Sequence, residues 1–576
     1  MAGENGVGSC VPVIQFKGKT AVESYHRVVP HHILEIDEKL SLAKKPSLDG
    51  NLIIEGDNLV ALKSLLPTHA GKIKCIYIDP PYNTGEEKWI FNDNLTQPQF
   101  KEWIGQEVGK EADDACRHDK WCCMMYPRLH LLRELLTDEG ILFVSIGEDE
   151  VHHLRMIANE IFRTEKPLVT FVWRRRSPSG MRKDPVSIDH EYVLGYASNP
   201  ECVELSGLLV TEDQYPFVEK DGRRYASTDL TIGATSEDRP NQFYPIKNPR
   251  SGVEYAANPN RVWRFEPDAM KDVIAKDLVI WPDEADGDLK RPRYKTFFDP
   301  KNPKTKAVSS WIVGLGAEPD PEAEDYDEDI AEISSGFTAE GGKLLRRIFG
   351  KKVFNYPKPL SLVESLLKVA TKNNDVVLDS FAGSGTTGHA VLEMNKNDGG
   401  NRQFVLVQQP YETKENEAAK FNICEKITAD RVRRVIKGYS FKTQSGKTEK
   451  IEGLSGEFAY VRVADKLMGE YRDLGNKLPS FEEVARYVYF TETSQNFEAT
   501  KMDKATGKIG EWKNTSYYLL YSPNRKEDRA LDVTFLKSLK DKNPRKVIYC
   551  EKVWLHREDL AKFGDVRPML VPFNLK

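Results

Sequence analysis

The apolar run Ile73–Ile78 stops abruptly at Asp79-Pro80-Pro81-Tyr82, and few folds accommodate such a junction. A run this apolar reads as a strand covered on both faces, as in a parallel sheet. Two successive prolines offer no N–H to a ladder, so residues 79–82 form a loop at its carboxyl end. Upstream, NLIIEGDNLVALKSLL reads as a short strand, a Gly56-Asp57 turn and a helix carrying Leu59, Leu62, Leu65 and Leu66 at helical spacing. Downstream come a helix over 126–136, a strand over 141–146, a helix over 148–162 and a strand over 169–173. After a long polar interval the alternation resumes with strand 376–379, a glycine-rich turn, a helix from about Thr386 and strand 404–409. A basic helix closed by Gly438 follows. Alternation of this kind predicts an α/β fold with a doubly wound parallel sheet.

The interruption sets the expected domains. Residues 1–46 carry little pattern and read as an N-terminal extension. Residues 47–200 and 351–440 are two parts of one α/β domain, separated by a turn-rich insertion over 201–350. The composition changes after Gly438, and 441–576 reads as a small α/β module of its own. A chain of 576 residues builds a full core without disulfides or structural metal. No window reaches the ~18 apolar residues of a membrane span, and the start lacks a basic region followed by an apolar run. Eight cysteines without a C-x-x-C predict reduced thiols in a cytoplasmic compartment. Cys116, His118, Cys122 and Cys123 fit no standard zinc spacing, so no metal is expected. The net charge, 83 − 88 = −5, argues mildly against a nucleic-acid partner. The stretch 318–332 holds nine carboxylates without Lys or Arg, however, and setting it aside gives 83 − 79 = +4. It reads as a solvated loop or linker.

Two strand ends carry chemistry, on the edge where open α/β sheets bind ligands. In Asp379-Ser-Phe-Ala-Gly-Ser-Gly-Thr-Thr, glycines allow close backbone approach and the helix start offers free N–H groups. No Lys follows, so a P-loop is excluded, and Gly388 comes one residue too late for a dinucleotide fingerprint. At the other strand end, the Asp79 carboxylate and the Pro80 carbonyl make a rigid two-acceptor clamp for an amino group. Tyr82 beside them can stack on a flat base, an interaction of ~1–3 kcal/mol. Adenine supplies both the amine and the face.

These residues resemble a known family. IYIDPPYNTG and LDSFAGSGTTG match the catalytic and cofactor motifs of amino-group DNA methyltransferases that use S-adenosyl-L-methionine. The catalytic motif precedes the cofactor motif, which resembles the circularly permuted β class. HEYVLGYA, RPNQFYPI, RPRYKT and NYPKPLSLVESLL resemble the modification subunit of type III restriction–modification systems. The resemblance implies a permuted Rossmann-like methyltransferase sheet and N6 methylation of a flipped-out adenine in double-stranded DNA. It implies that Asp79, Pro80, Pro81 and Tyr82 hold the target base. It further implies that Asp379, Phe381, Ala382, Gly383, Ser384, Gly385, Thr386 and Thr387 surround the cofactor. Lys358 and Pro359 would complete that pocket, and Asp57 would end the strand that meets the cofactor adenine. Many relatives place an acid after the FVLV strand to hold the ribose, where this chain has Gln408-Gln409.

Arg174, Arg175, Arg176, Arg182 and Lys183 cluster after strand 169–173 and suit backbone phosphates. The 201–350 insertion lies where type III relatives keep a target-recognition domain. N4 methylation of cytosine and a non-catalytic DNA-recognition subunit are the alternatives, Asp79 weighing against the first and the intact motifs against the second. No helicase or nuclease signature is present, so cleavage would require a separate restriction subunit; a homodimer is a further partner the resemblance allows.

Overall fold

The protein is described by a computed structural model over residues 13–84, 117–177, 186–203, 205, 208–209, 215–285, 289–299, 305–315, 330–331, 333–411, 413–443, 445–467, 478–523 and 529–571. The chain divides into two compact units, one formed by 1–204 with 335–576 and the other by 205–334.

The first unit is built on a large mixed sheet. Nine of its strands, in chain order, are β1 (His32–Ile36), β2 (Leu52–Glu55), β3 (Ile73–Ile78), β4 (Leu136–Ile146), β5 (Val169–Arg174), β6 (His190–Ala197), β7 (Val376–Asp379), β8 (Gln403–Gln408) and β9 (Ala459–Lys466). Their spatial order is β1-β9-β2-β8-β7-β3-β4-β6-β5. The strands from β9 to β4 pair in parallel, and β1, β6 and β5 are antiparallel additions at the two sides.

Alternate side chains go to opposite faces, and both faces are covered. Ile76, Ile78, Leu142, Val144, Val405 and Val407 pack in one core with helices Asn58–His69, Arg117–Leu135 and Val151–Phe162. The intervening Leu406 meets helix Thr386–Asp398 instead, so closely that a Cβ on Gly388 would come within 2.9 Å of it. A glycine two residues into that helix is therefore a packing requirement.

The connections explain where ligands must bind. From β3 the chain passes through Arg117–Leu135 to β4 on one side, and from β7 through Thr386–Asp398 to β8 on the other. The two crossovers diverge from the β7–β3 pair, leaving a crevice at the carboxyl ends of these two strands.

The second unit contains antiparallel strands ordered Val279–Ile280, Arg293–Phe297, Arg224–Asp229 and Phe217–Val218, with helix Pro267–Ala275. Its own core comprises Leu230, Ile246, Trp263, Met270, Val273, Val279 and Trp281. Within it Asp229 is held by Arg261 at 2.9 Å and Arg293 at 3.4 Å. Of the acidic stretch 318–332, residues 318–329 and 332 lie outside the described residues.

The chain ends differ from their expected independence. Strand β1, from the N-terminal 46 residues, pairs with β9, which lies beyond residue 440, and β9 in turn pairs with β2. Composition shifts at these boundaries, but β9 completes the main sheet. The remainder of the C-terminal region does form a four-stranded sheet, Lys508–Trp512, Thr515–Leu520, Arg545–Cys550 and Asp565–Leu570. Asn496 and Phe497 nevertheless hydrogen-bond back to Ala70 and Pro67. Truncation after residue 440 therefore strips β2 of a neighbour and exposes Leu52 and Ile54. The truncated chain is expected to lose its cooperative thermal transition, or to melt more than about 10 °C below the full chain. A melt within a few degrees of the full chain would show that β9 is dispensable.

Candidate active site

Asp79 leaves β3 at the crevice, and the loop behind it is tied down from several sides. Trp121 Nε1 donates to the Pro81 carbonyl at 2.7 Å. Asn83 takes a left-handed φ of 56° and donates from its amide to Glu150 at 2.5 Å. The Tyr82 ring lies so near Gly147 that a Cβ there would come 3.0 Å from Cδ2. Its hydroxyl donates to Glu191 Oε2 at 2.9 Å.

The Lys358 ammonium enters this cluster from the segment before helix Leu360–Ala370. Nζ lies 2.8 Å from Asp79 Oδ1, 2.9 Å from the Tyr82 hydroxyl, 3.5 Å from Glu191 Oε2 and 4.8 Å from the Tyr82 ring centroid. Arg175 adds a second cation, 3.4 Å from Glu191 Oε1. Burial raises the pKa of Asp79, and Lys358 opposes that rise. Burial favours neutral Lys358, but Asp79 and Glu191 outweigh it and hold the amine protonated, with its pKa raised.

On the other side of the crevice, Asp379 ends β7. Thr387 donates its hydroxyl to Oδ2 at 2.5 Å, and the Phe381 N–H donates to Oδ1 at 3.0 Å. Both donors are neutral, and burial pushes this carboxyl up to about 7. Gly383 and Gly385 have φ of 51° and 79°, conformations that disfavour a side chain. A Cβ on Gly385 would also come 3.1 Å from the Thr428 carbonyl. Arg431, fully buried, donates to Ser384 Oγ at 3.0 Å and Thr386 Oγ1 at 2.8 Å. It pins the turn from beneath, and burial lowers its pKa to about 9.

Comparison with known proteins agrees with this geometry. The family profile described as DNA methylase, of the N6/N4 type, matches residues 73–415, which span both strand ends. The chain belongs to this DNA methylase family. It is 30% identical to the type III restriction-modification enzyme StyLTI Mod subunit of Salmonella typhimurium, over 67% of this chain and 57% of that protein. It is 28% identical to the EcoPI Mod subunit of Escherichia phage P1, over 74% and 68% of the respective chains. It is 29% identical to the type II methyltransferase M.KpnI of Klebsiella pneumoniae, over 66% and 85%. The match thus spans little more than half the length of the Salmonella subunit.

Not every residue singled out in the sequence lies where the resemblance implies. Lys358 carries its ammonium to Asp79, on the β3 side of the crevice. Its carbonyl accepts from Thr386 at 3.5 Å, and Pro359 caps the following helix without a side-chain bond. Asp57 is the N-cap of helix Asn58–His69, accepting from Leu59 and Val60 N–H groups and pairing with Arg128 at 3.4 Å. Its carboxylate serves the helix terminus. Gln408 Oε1 accepts the Gly383 N–H at 2.7 Å, so its acceptor is engaged in shaping the turn. Ala382 anchors that turn through its N–H to the Val407 carbonyl at 3.2 Å.

The basic loop is partly internal. Arg175 pairs with Glu191 and Arg176 with Asp189 at 3.0 Å, whereas Arg174 is exposed, with Phe337 5.8 Å from its guanidinium. Arg182 and Lys183 lie outside the described residues. Cys122 and Cys123 are buried, while Cys116 is outside the described residues. Among the described residues, His118, Glu150 and His153 are the group of metal-ligating type, with donor atoms within 4.8 Å of one another. Both imidazole Nδ1 atoms already lie at hydrogen-bond distance from Glu150, 2.7 Å and 2.8 Å. With Asn83 on the same carboxylate, the group anchors the loop after Tyr82.

Glu191 and Arg431 received no role from the sequence. Glu191 puts a charge at the start of an apolar strand, the one signal that could have raised it; Arg431 lies in a run of cations with Arg433 and Arg434 that looks uniformly basic in sequence.

S-adenosylmethionine fits the Asp379 side of the crevice by charge. It carries an ammonium and a sulfonium, and Asp379 is a buried carboxylate whose bonded partners named above are neutral. Ser380 Oγ, 1% exposed, has no partner among the described residues and remains available as a donor or acceptor. The raised pKa gives two expectations. Cofactor affinity falls as pH drops below about 7, because the protonated carboxyl no longer attracts a cation. For stability the sign is opposite: protonation favours the folded state, so the cost of burying the charge grows as pH rises toward 7. Asp379→Asn is expected to raise the melting temperature at pH 8, by at most about 4 kcal/mol of stability, and to weaken cofactor binding at least about tenfold. The stability gain should vanish near pH 4. Calorimetric titration and melts across pH check both; equal cofactor affinity at pH 6 and 8 would contradict the assignment.

Proposed function

We propose that this methylase transfers a methyl group from S-adenosyl-L-methionine to N6 of an adenine flipped out of double-stranded DNA. In this reading it acts site-specifically as the modification component of a type III-like restriction–modification system. The observation that carries the reading is the juxtaposition of an amine clamp with a buried, cation-seeking carboxylate at neighbouring strand ends.

The chemistry follows from the residues. Adenine N6 is a weak nucleophile because its lone pair is delocalised into the ring. Asp79 Oδ and the Pro80 carbonyl accept its two N–H bonds, which localises the lone pair and fixes its direction. Tyr82, held by Glu191 and seated against Gly147, supplies a flat surface for the base. Holding the amine in line is worth several kcal/mol of the barrier. The cofactor supplies an electrophilic methyl on sulfonium when bound beside Asp379. The amine of a paired adenine is inaccessible in the stack, so the nucleotide must leave the duplex first.

The Mod-subunit relatives support a modification role and, with it, a separate restriction subunit as partner; a homodimer is a further proposed assembly. Within the described residues no helix is long and apolar enough to cross a membrane. Arg174, the exposed last residue of β5, is proposed to meet backbone phosphate. Its replacement by Ala should weaken DNA binding uniformly across sequences and reduce the salt slope by about one.

Sequencing of methylated DNA from cells expressing this chain alone gives the modified base and the site. Label from the cofactor should appear in N6-methyladenine after nucleoside digestion; label in N4-methylcytosine would overturn the choice of base. Asp79→Ala should abolish methylation while DNA and cofactor still bind. Retention of more than a few per cent of the wild-type rate would remove Asp79 from the mechanism.

A further inference from the structure

The amine clamp holds an amine that belongs to the protein itself. Lys358 Nζ lies 2.8 Å from Asp79 Oδ1 and 4.8 Å from the Tyr82 ring centroid. A carboxylate acceptor and an aromatic face are the two features the clamp offers a target amine. The contact is an ion pair, Oδ1 having no hydrogen-bond partner among the described residues, and the ammonium stands in the space that the exocyclic amine of a base has to enter.

The structure also contains a second place for the ammonium. Glu191 Oε2 is 3.5 Å from the same nitrogen, and Glu191 is 7% exposed, so its carboxylate is shielded from water. It also accepts the Tyr82 hydroxyl at 2.9 Å and faces Arg175 at 3.4 Å. Two carboxylates and two cations balance in this cluster whether Lys358 leans toward Asp79 or toward Glu191. The two acids lie 2.8 Å and 3.5 Å from the same nitrogen, so a short shift toward Glu191 keeps all four charges in one cluster and limits the cost of weakening the Asp79 pair.

We propose that Glu191 is a positioning residue for methyl transfer: it takes the Lys358 ammonium from Asp79 when the target base enters, and it holds Tyr82 by the hydroxyl. This rests on the amine-methylation reading above. Lys358 then acts as a surrogate for the target amine, compensating the Asp79 charge until a base displaces it. Glu191 touches neither base nor cofactor and acts through Lys358 and Tyr82.

The test uses the full chain and a duplex bearing its methylation site, with 2-aminopurine at the target position to report base extrusion by fluorescence. Wild-type methylation of the unmodified duplex is the control for the reading itself; if no methyl transfer occurs, that reading fails and not this inference. Glu191→Gln keeps the shape and the Tyr82 bond but removes the charge. It should reduce extrusion at least fivefold and kcat at least tenfold, with cofactor affinity unchanged within twofold. In a Lys358→Met background, Glu191→Gln should change extrusion by less than twofold, because there is no ammonium left to relocate. A purely structural role would give the same loss in both backgrounds and would overturn the inference, as would wild-type extrusion by the Glu191→Gln protein. Should Glu191→Gln fail to fold, Lys358→Met alone decides. Measured without cofactor, it should extrude the base at least threefold more readily than wild type, and equal or weaker extrusion would refute displacement of Lys358.

Discussion

The parallel hydrogen bonding of β7 to β3 is the constraint on which the site depends. Val376 pairs with Ile73 and Leu378 with Ile76, joining segments about three hundred residues apart in the chain. The register brings Asp79 and Asp379 out at neighbouring strand ends, close enough that Asp79 contributes to raising the Asp379 pKa. Parallel strands require long crossovers, and here the two crossovers run in opposite directions. The crevice is a consequence of that divergence. Cofactor and target base can then be held by separate loops while their reacting groups meet.

Both walls of the crevice contain buried charge, handled in different ways. On the β3 side, Asp79 and Glu191 are offset by Lys358 and Arg175, so this wall is nearly neutral, as the proposed binding of a neutral base requires. On the β7 side, Asp379 has neutral donors from Thr387 and Phe381, and burial leaves it easily protonated. A cationic ligand supplies what that wall lacks. Such a carboxylate costs folding stability and can contribute binding energy to a cationic ligand, a familiar compromise at functional sites.

Much of the catalytic architecture was legible in short motifs because their chemistry is local. Asp79-Pro80-Pro81-Tyr82 announces a strand end through proline's missing N–H, and Gly383 and Gly385 announce a turn through backbone conformation. Other roles depended on partners remote in sequence. Asp57 looks like a strand-end acid but caps its own helix, because the Leu59 and Val60 N–H groups lie one turn away. Gln408 replaces an acid and turns inward to Gly383, a neutral acceptor being well suited to a backbone N–H. The basic segments at 174–176 and 431–434 look alike in sequence. In the fold Arg174 is exposed, Arg175 neutralises Glu191, and Arg431 is wholly buried under the glycine turn. Domain boundaries were harder still, since β9 enters the main sheet from beyond the composition change at residue 440.

The amino-acid sequence by itself determined the α/β alternation, the two strand-end motifs and the class of chemistry they serve. Periodicity, proline and glycine act over a few residues, and that is enough to specify these features. Tertiary structure alone decided the order of the strands, the pairing of Asp79 with Lys358 and the presence of Glu191 behind Tyr82. Those depend on which segments become neighbours across hundreds of residues, and an ionic contact at 3 Å leaves no periodic trace in a chain. The net charge of −5 illustrates the difference. Summed over the chain it pointed away from nucleic acid; distributed by the fold, the charges that matter are four side chains at one strand end.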